Sequence, residues 1–406
     1  MSEPWRRNLF SVTAASFIGF AGFTLVMPFL PLYFRELGVT DVGAISLWSG
    51  LSLGATPAVT AIVAPFWGRL ADRYGRKIMV ERSLVSFVVV MSAMAFVTRP
   101  WHVFALRALQ GLFAGYGMLA LTMAADSAPP GRLATAIGSV QTAQRLGPAV
   151  GPVIGGVLAG IVGLRRAFLV SAGFYACGLL LVAVGYRERV LAPRQAAGGE
   201  GQRVTFRSVL AFENLVLLMG VLFGLQVVDR SLGPILPLYV AEAGVGPARV
   251  AFTSGLLFSL AALSGAVGNQ ACAWLLRRTP ARAIIGAASA LGAVAAAGYA
   301  ALPHVSTLAL ASVLFGLSLG TAMTAAYTAA GSVIPEEVRG TGFGVLTSAT
   351  LVGLALSPMI SGLLGAVSIR AVFLADAVAL AVIAVVVWRL MAVRSGEAQQ
   401  PAAEEL

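Results

Sequence analysis

Charge is what this chain has least of. Only 11% of its 406 residues are Asp, Glu, Lys or Arg, where a soluble globular domain carries about 25%. A water-facing surface cannot be assembled from so little polarity, so an ordinary soluble domain is excluded. Cysteine and histidine are nearly missing too, with two of each. Two cysteines make no disulfide framework, and Cys177 and Cys272 are expected as buried fillers within apolar runs. His102 and His304 sit near expected span ends with no acid or cysteine cluster beside them, so the sequence draws neither a catalytic constellation nor a metal site. No cofactor and no metal is expected.

Apolar residues fill the chain instead, at 58%, with a mean hydropathy of +0.87. A spanning helix needs about 20 of them, and such runs recur almost end to end. In lipid only helices or closed barrels satisfy the backbone, and barrel strands would alternate over segments of about 10 residues. These runs do not alternate, so the fold class expected is an all-α membrane protein. Twelve spans are placed near 9–34, 44–67, 79–97, 102–126, 134–161, 166–186, 212–240, 249–275, 281–301, 305–330, 340–365 and 370–392. The first follows Trp5, Arg6 and Arg7, is too long for a signal-peptide core, and is expected to remain as a span.

The basic residues set orientation. Starting the chain inside places most of the 28 Lys and Arg in cytoplasmic loops and tails, which the positive-inside rule favours. The expected location is therefore the cell (inner) membrane, multi-pass, with both termini cytoplasmic. The net charge of +11 is then dispersed over loops facing anionic headgroups, so membrane lipid is an expected partner and nucleic acid is not.

The chain also repeats itself. Leu25 to Val39 reads LVMPFLPLYFRELGV and Ser231 to Val245 reads SLGPILPLYVAEAGV, so Pro28 and Pro31 recur as Pro234 and Pro237. A similar offset sets Pro130 against Pro335, Gly111 against Gly316 and Pro152 against Pro358. The organisation expected is an N-terminal six-helix bundle (1–186), a polar, Arg- and Gly-containing linker (187–211), a C-terminal six-helix bundle (212–394) and a polar tail (395–406).

After the second span comes GRLADRYGRK, residues 68 to 77. A basic turn alone would explain its arginines but not Gly68, Asp72 and Gly75 at their spacing. Arg107, Gln110, Gly111 and Gly115 form R-x-x-Q-G-x-x-x-G in the fourth span. In the fifth, GPAVGPVIGG (147 to 156) puts Gly147, Gly151 and Gly155 on one stripe, beside Gly156 and the prolines Pro148 and Pro152. Such a stripe permits close helix contact, and the prolines favour a kink. Together with PFLP (Pro28 to Pro31), these residues resemble the signatures of the major facilitator superfamily, in its twelve-span drug:proton antiporter branch.

That resemblance implies two pseudo-symmetric bundles rocking about a central site, a small-molecule substrate, protons as coupling ion, multidrug efflux of a kind that confers antibiotic resistance, no enzyme chemistry, and action as a monomer. It implies that Gly68, Asp72, Gly75, Arg76, Lys77 and Asp126 form a conformational latch. In it Asp72 would meet the start of the eleventh span near Gly340 and Thr341, and Arg76 would pair with Asp126, both only when the cytoplasmic side is closed. The equivalent turn of the second half, Ala273 to Arg282, lacks the acid and both glycines.

Proton coupling needs a carboxyl group reachable from either side. Asp229, in the middle of the seventh span, is the best candidate; Asp376 is set aside because it lies in the first turns of the last span. Arg107 faces either the protein interior or the headgroups, and Arg145 would either bind an anionic substrate or neutralise Asp229. Candidate substrate-binding residues are Phe23, Met27, Tyr116, Gln141, Gln144, Gln226 and Tyr327, together with Phe20 and Met323, since aromatic and Met walls tolerate varied amphipathic ligands. Uptake or facilitated diffusion of a small metabolite or sugar is the alternative function, and a non-transporting membrane sensor is the alternative of another class.

Overall fold

The computed structural model describes residues 4–129, 132–187, 214–301, 304–334 and 339–391. The expected linker and tail lie outside these except for Arg187. Fourteen helices are present among the described residues: α1 (Pro4–Leu25), α2 (Leu30–Glu36), α3 (Val42–Tyr74), α4 (Arg76–Met94), α5 (Pro100–Leu112), α6 (Tyr116–Ser127), α7 (Leu133–Val162), α8 (Leu164–Gly185), α9 (Leu215–Glu242), α10 (Pro247–Leu275), α11 (Ala281–Ala301), α12 (Val305–Val333), α13 (Arg339–Val367) and α14 (Ile369–Leu390).

They make twelve spans because the first and fourth are each broken in two. At the first break Pro28 has no N–H for the Thr24 carbonyl, which accepts instead from the Met27 N–H at 3.1 Å in a tighter turn. At the fourth, Gly115 sits at φ +121°, a conformation that favours glycine. Gly75, at φ +94°, likewise turns α3 into α4. Among the described residues eleven spans are long and apolar enough to cross a membrane. The exception is α4, whose first turns carry Arg76, Lys77, Glu81 and Arg82, yet it packs with α5, α6 and α8 inside the N-terminal bundle.

The two bundles repeat each other in side-chain detail. The Tyr33 hydroxyl donates to the Met94 carbonyl at 2.6 Å, and its counterpart Tyr239 donates to the Tyr299 carbonyl at 2.6 Å. Tyr33 lies against Phe168 with ring centroids 4.8 Å apart, and Tyr239 lies against Phe373 at the same 4.8 Å. Cys272 is buried as expected. Cys177 is not: it is exposed on α8, because a face turned toward lipid carries the same apolar residues as one turned toward protein.

We name the end of the molecule where α1 begins the near face and the opposite end the far face. The halves meet along α3 with α13 and along α7 with α10, and the close contacts lie toward the far face. A Cβ on Gly54 would fall 2.7 Å from the Ala355 carbonyl oxygen, and one on Gly156 would fall 2.5 Å from that of Ala251. Ser46 donates to the Gly362 carbonyl across this seam at 3.2 Å. By contrast Gly138 on α7 and Gly344 on α13, toward the near face, have open space around them.

Candidate functional site

Between the halves at mid-span lies a cavity of about 300 Å³. Its N-terminal wall is Thr24 and Met27 at the first-span break and Gln144, Arg145, Pro148 and Pro152 of α7; its C-terminal wall includes Asp229 and Arg230 of α9, Asn269 of α10, and Phe315 and Met323 of α12. Broken or proline-bearing helix is tolerated at membrane depth where it lines such a cavity.

The glycine stripe of α7 explains how that wall is held. Cβ atoms on Gly147, Gly151 and Gly155 would run into the α1 segment Phe17 to Leu25 or its continuation, while Gly156 faces α10 in the other half. The stripe therefore clamps α7 to α1 with three residues and presents the fourth to the seam. Pro152 contributes from the opposite side, its carbonyl lying against Gly255 of α10.

Polar chemistry in the chamber centres on adjacent residues of α9. Asp229 Oδ2 and Arg230 Nε are 2.9 Å apart, and both side chains are about one-third exposed, to the cavity. Arg145 does not neutralise Asp229, as one sequence reading had it; Arg230, the next residue, does. Arg145 instead reaches across to Asn269, whose amide oxygen accepts from Nη1 at 3.2 Å while its nitrogen donates to Thr324 Oγ1 at 2.9 Å and to the Gly320 carbonyl at 2.8 Å. Among the described residues the chamber thus holds two guanidinium groups and one carboxylate.

Of the expected substrate contacts, Met27, Gln144 and Met323 line this cavity, and Gln144 is fixed by donating to the Gly117 carbonyl at 2.9 Å. The others do not line it. Tyr116 is buried within the N-terminal bundle, donating to the Ser16 carbonyl at 3.2 Å, with its ring tilted at 44° to that of Phe20. Gln141 is exposed, Gln226 lies against Gly353 at the α9–α13 contact, and Tyr327 is 3.4 Å from the Thr350 hydroxyl of α13. Phe23 packs at the edge of the core. All but Tyr116, whose helix α6 does not reach the cavity, belong to spans that line it, but only the face decides, and Leu-rich spans do not announce their face.

Arg107 is fully interior at 1% exposure, so it does not snorkel to headgroups. Its Nη1 donates to Gln110 Oε1 at 3.0 Å, and its carbonyl accepts from Thr56 Oγ1 at 2.8 Å where Gly111 lets α3 approach. It stands apart from the chamber, inside the N-terminal half.

At the near face Arg76 of α4 pairs with Asp126 of α6, and Lys77 Nζ approaches Glu81 at 3.7 Å and donates to the Ala183 carbonyl at 2.8 Å. Both partners of the Arg76–Asp126 pair belong to the N-terminal half, and the pair is present while the seams are packed toward the far face. The pair itself therefore bridges no contact between the two halves. The Asp72 contact with the region of Gly340 and Thr341, and the side-chain surroundings of Gly68, lie outside the described residues. Reversing the Arg76–Asp126 pair (Arg76→Asp with Asp126→Arg) is expected to recover most of what either single change loses, with a coupling of about 1 kcal/mol in a double-mutant cycle of thermal inactivation.

The last span holds a residue the sequence reading set aside. Asp376 is 5% exposed and its Oδ2 lies 2.6 Å from the Ser231 hydroxyl of α9. Among the described residues no three of His, Cys, Asp and Glu converge on a metal-sized site.

Two pseudo-symmetric helical bundles enclosing a polar-walled chamber at mid-span have the architecture of a secondary transporter. The comparisons agree: residues 12–341 and 289–406 match the family model of the Major Facilitator Superfamily. The chain belongs to that family, as a multi-pass membrane transporter and not an enzyme. It is 30% identical over 267 residues to the multidrug resistance protein MdtG of Proteus mirabilis (strain HI4320), covering 66% of each chain, and 35% identical over 260 residues to MdtG of Yersinia enterocolitica, covering 64% of this chain and 62% of that one. The chain thus spans just under two thirds of the length of these curated relatives. In fold it is similar to a bacterial homolog of the human lysosomal transporter Spinster, in an inward-facing and occupied conformation, with a TM-score of 0.79 at 17% identity over 99% of this chain and 100% of that one. A mutant of the nucleoside transporter NupG gives 0.77 at 14% identity over 95% and 100%.

Proposed function

We infer that the protein exports amphipathic small molecules, drugs among them, in exchange for protons, with both termini on the cytoplasmic side of the inner membrane and the near face opening to the cytoplasm. The observation that carries this reading is Asp229, the one carboxylate in the wall of the chamber among the described residues. Exchange requires that proton and substrate not be held together. A ligand whose cationic or hydrogen-bond-donating group takes the Asp229 carboxylate needs it ionised, and a proton on Asp229 removes that anchor, so occupancy alternates. Phe315, Met323 and Met27 supply adaptable apolar wall for the rest of the ligand. The names of the MdtG relatives support drugs as the substrate class.

A second reading rests on the two guanidiniums, Arg145 and Arg230, that share the chamber wall with Asp229. A ligand bearing an acceptor or anionic group would draw Arg230 away and leave Asp229 to be neutralised by a proton travelling with it, which is uptake by co-transport. Everted vesicles energised acid-inside and reporting lumenal pH separate the two. Adding substrate should raise lumenal pH under exchange; a fall means co-transport, and substrate movement with no pH response means facilitated diffusion.

A further inference from the structure

The halves differ at one matched position where the N-terminal half shows that the structural task needs no acid. On α8, Ser171 donates to the Gly22 carbonyl of α1 at 2.9 Å. Sliding the halves onto each other through the Phe168 and Phe373 pair sets Ser171 opposite Asp376, and the proline repeat sets Gly22 opposite Val228. A neutral hydroxyl thus ties the last span to the first in one half. In the other, a carboxyl group stands in its place and works through Ser231.

The Ser231 hydroxyl has one hydrogen and two acceptors in reach: Asp376 Oδ2 at 2.6 Å and the Val228 carbonyl at 2.9 Å. With Asp376 protonated, its O–H donates to Ser231 Oγ and Ser231 donates to Val228, so every group is satisfied. When Asp376 loses that proton to water, a carboxylate remains. Ser231 must then turn its hydrogen to Oδ2, and the Val228 carbonyl, next to Asp229, keeps only its helical partner. An ionised carboxylate sealed at that depth with one donor is costly, so the ionised state requires water to enter between α9 and α14.

The charged and titratable groups of the surrounding helices do not relieve it. On α9, Asp229 and Arg230 face the chamber, while Tyr239 and Glu242 lie toward the far face with Arg370 of α14. On α11, Tyr299 is the ionisable neighbour, its hydroxyl shared with Ser312 at 2.7 Å, and Arg282 lies against Trp388. On α13, Ser361 donates to the Ser231 carbonyl, and its described side chains include no titratable group. Arg389, the remaining charged residue of α14, is near its opposite end.

We propose that Asp376 is a second protonation site, within the C-terminal half, that acts through Ser231 on the stretch of α9 carrying Val228 and Asp229, and so ties α9 movement to proton uptake and release. It is a positioning residue: it touches neither the chamber nor its ligand. The proposal rests on the proton-coupled reading above.

Asp376→Ser copies the N-terminal half and Asp376→Asn copies the protonated group, so two variants guard against misfolding. Infrared difference spectra across a pH titration of purified Asp229→Asn protein, in which the chamber carboxyl is silent, should show without substrate a protonated-carboxyl carbonyl band that is lost when either Asp376 change is added. With ethidium as probe, both variants should bind within about two-fold of wild type, while the pH dependence of its transport in everted vesicles flattens and the proton-driven rate falls at least about ten-fold (~1.4 kcal/mol). A band that persists in both variants, or a wild-type pH profile in Asp376→Ser, overturns the proposal. Wild-type vesicles moving probe with no lumenal pH change would instead overturn the exchange reading on which it rests, and the infrared band still reports on Asp376 separately.

Discussion

Asp229→Asn is expected to leave a protein that still binds and equilibrates substrate but no longer accumulates it against a gradient. Asparagine keeps the shape of the side chain and one acceptor oxygen. It loses the charge that strengthens a hydrogen bond, a difference of about 1 kcal/mol or roughly five-fold in affinity. Coupling suffers far more. One proton moving through about 100 mV contributes about 2.3 kcal/mol, and one pH unit about 1.4 kcal/mol, together a gradient of a few hundred-fold for a neutral substrate. Without a group that exchanges the proton for the ligand, that ratio collapses to unity. Steady-state accumulation in energised vesicles measures it directly; unchanged accumulation in Asp229→Asn would remove this residue from the coupling mechanism.

The second large effect is expected at the far-face seam. Gly156→Leu places a side chain where even a Cβ would press on the Ala251 carbonyl and, at 2.7 Å, on the Phe252 Cα. Overpacking costs about 1–3 kcal/mol, and here the cost falls on the state in which the halves meet, because the three atoms nearest a Cβ on Gly156 all belong to α10. A penalty of that size moves a two-state equilibrium by about five- to more than a hundred-fold. The variant should fold, keep its melting temperature within a few degrees, and lose at least about ten-fold in transport. A cysteine introduced on the α10 side of the seam should become more reactive toward a membrane-impermeant thiol reagent. Gly155→Leu is the contrasting variant: its neighbour is the Leu25 backbone within the same half, so it should fail at folding. Equal behaviour of the two variants would show that the seam is not a separable, state-dependent contact.

Much of this architecture was readable before any coordinates. The twelve spans were, because a run of apolar residues long enough for lipid has few other uses, and the two halves were, because Pro28 and Pro31 recur as Pro234 and Pro237. The glycine stripe from 147 to 156 marked a close helix approach, and the structure packs α1 against Gly147, Gly151 and Gly155 and α10 against Gly156. What could not be read was direction around each helix. A soluble helix betrays its buried face by contrast with a polar one, but lipid is as apolar as protein interior, so Gln141, Gln226 and Tyr327 sit on helices that line the cavity without lining it themselves, and Tyr116 sits on α6, which does not reach it. Asp376 was missed for another reason. Counting turns from the start of the last span suggested proximity to water, whereas the aromatic layer of Tyr239, Tyr299 and Phe373 covers that end. A signal was available in Ser171, its neutral counterpart in the other half.

The paired tyrosine ties have a mechanical consequence. Tyr33 and Tyr239 brace the two bundles at the same height, so neither can yield there by bending, and any opening must hinge at the glycine-lined seams. With α13 running from Arg339 to Val367, 29 residues or about 44 Å at 1.5 Å per residue, a tilt of about 10° at the far end sweeps the near end through about 8 Å. A gate wide enough for a drug-sized molecule therefore asks for little movement where glycine meets carbonyl, and the lever arm supplies the rest.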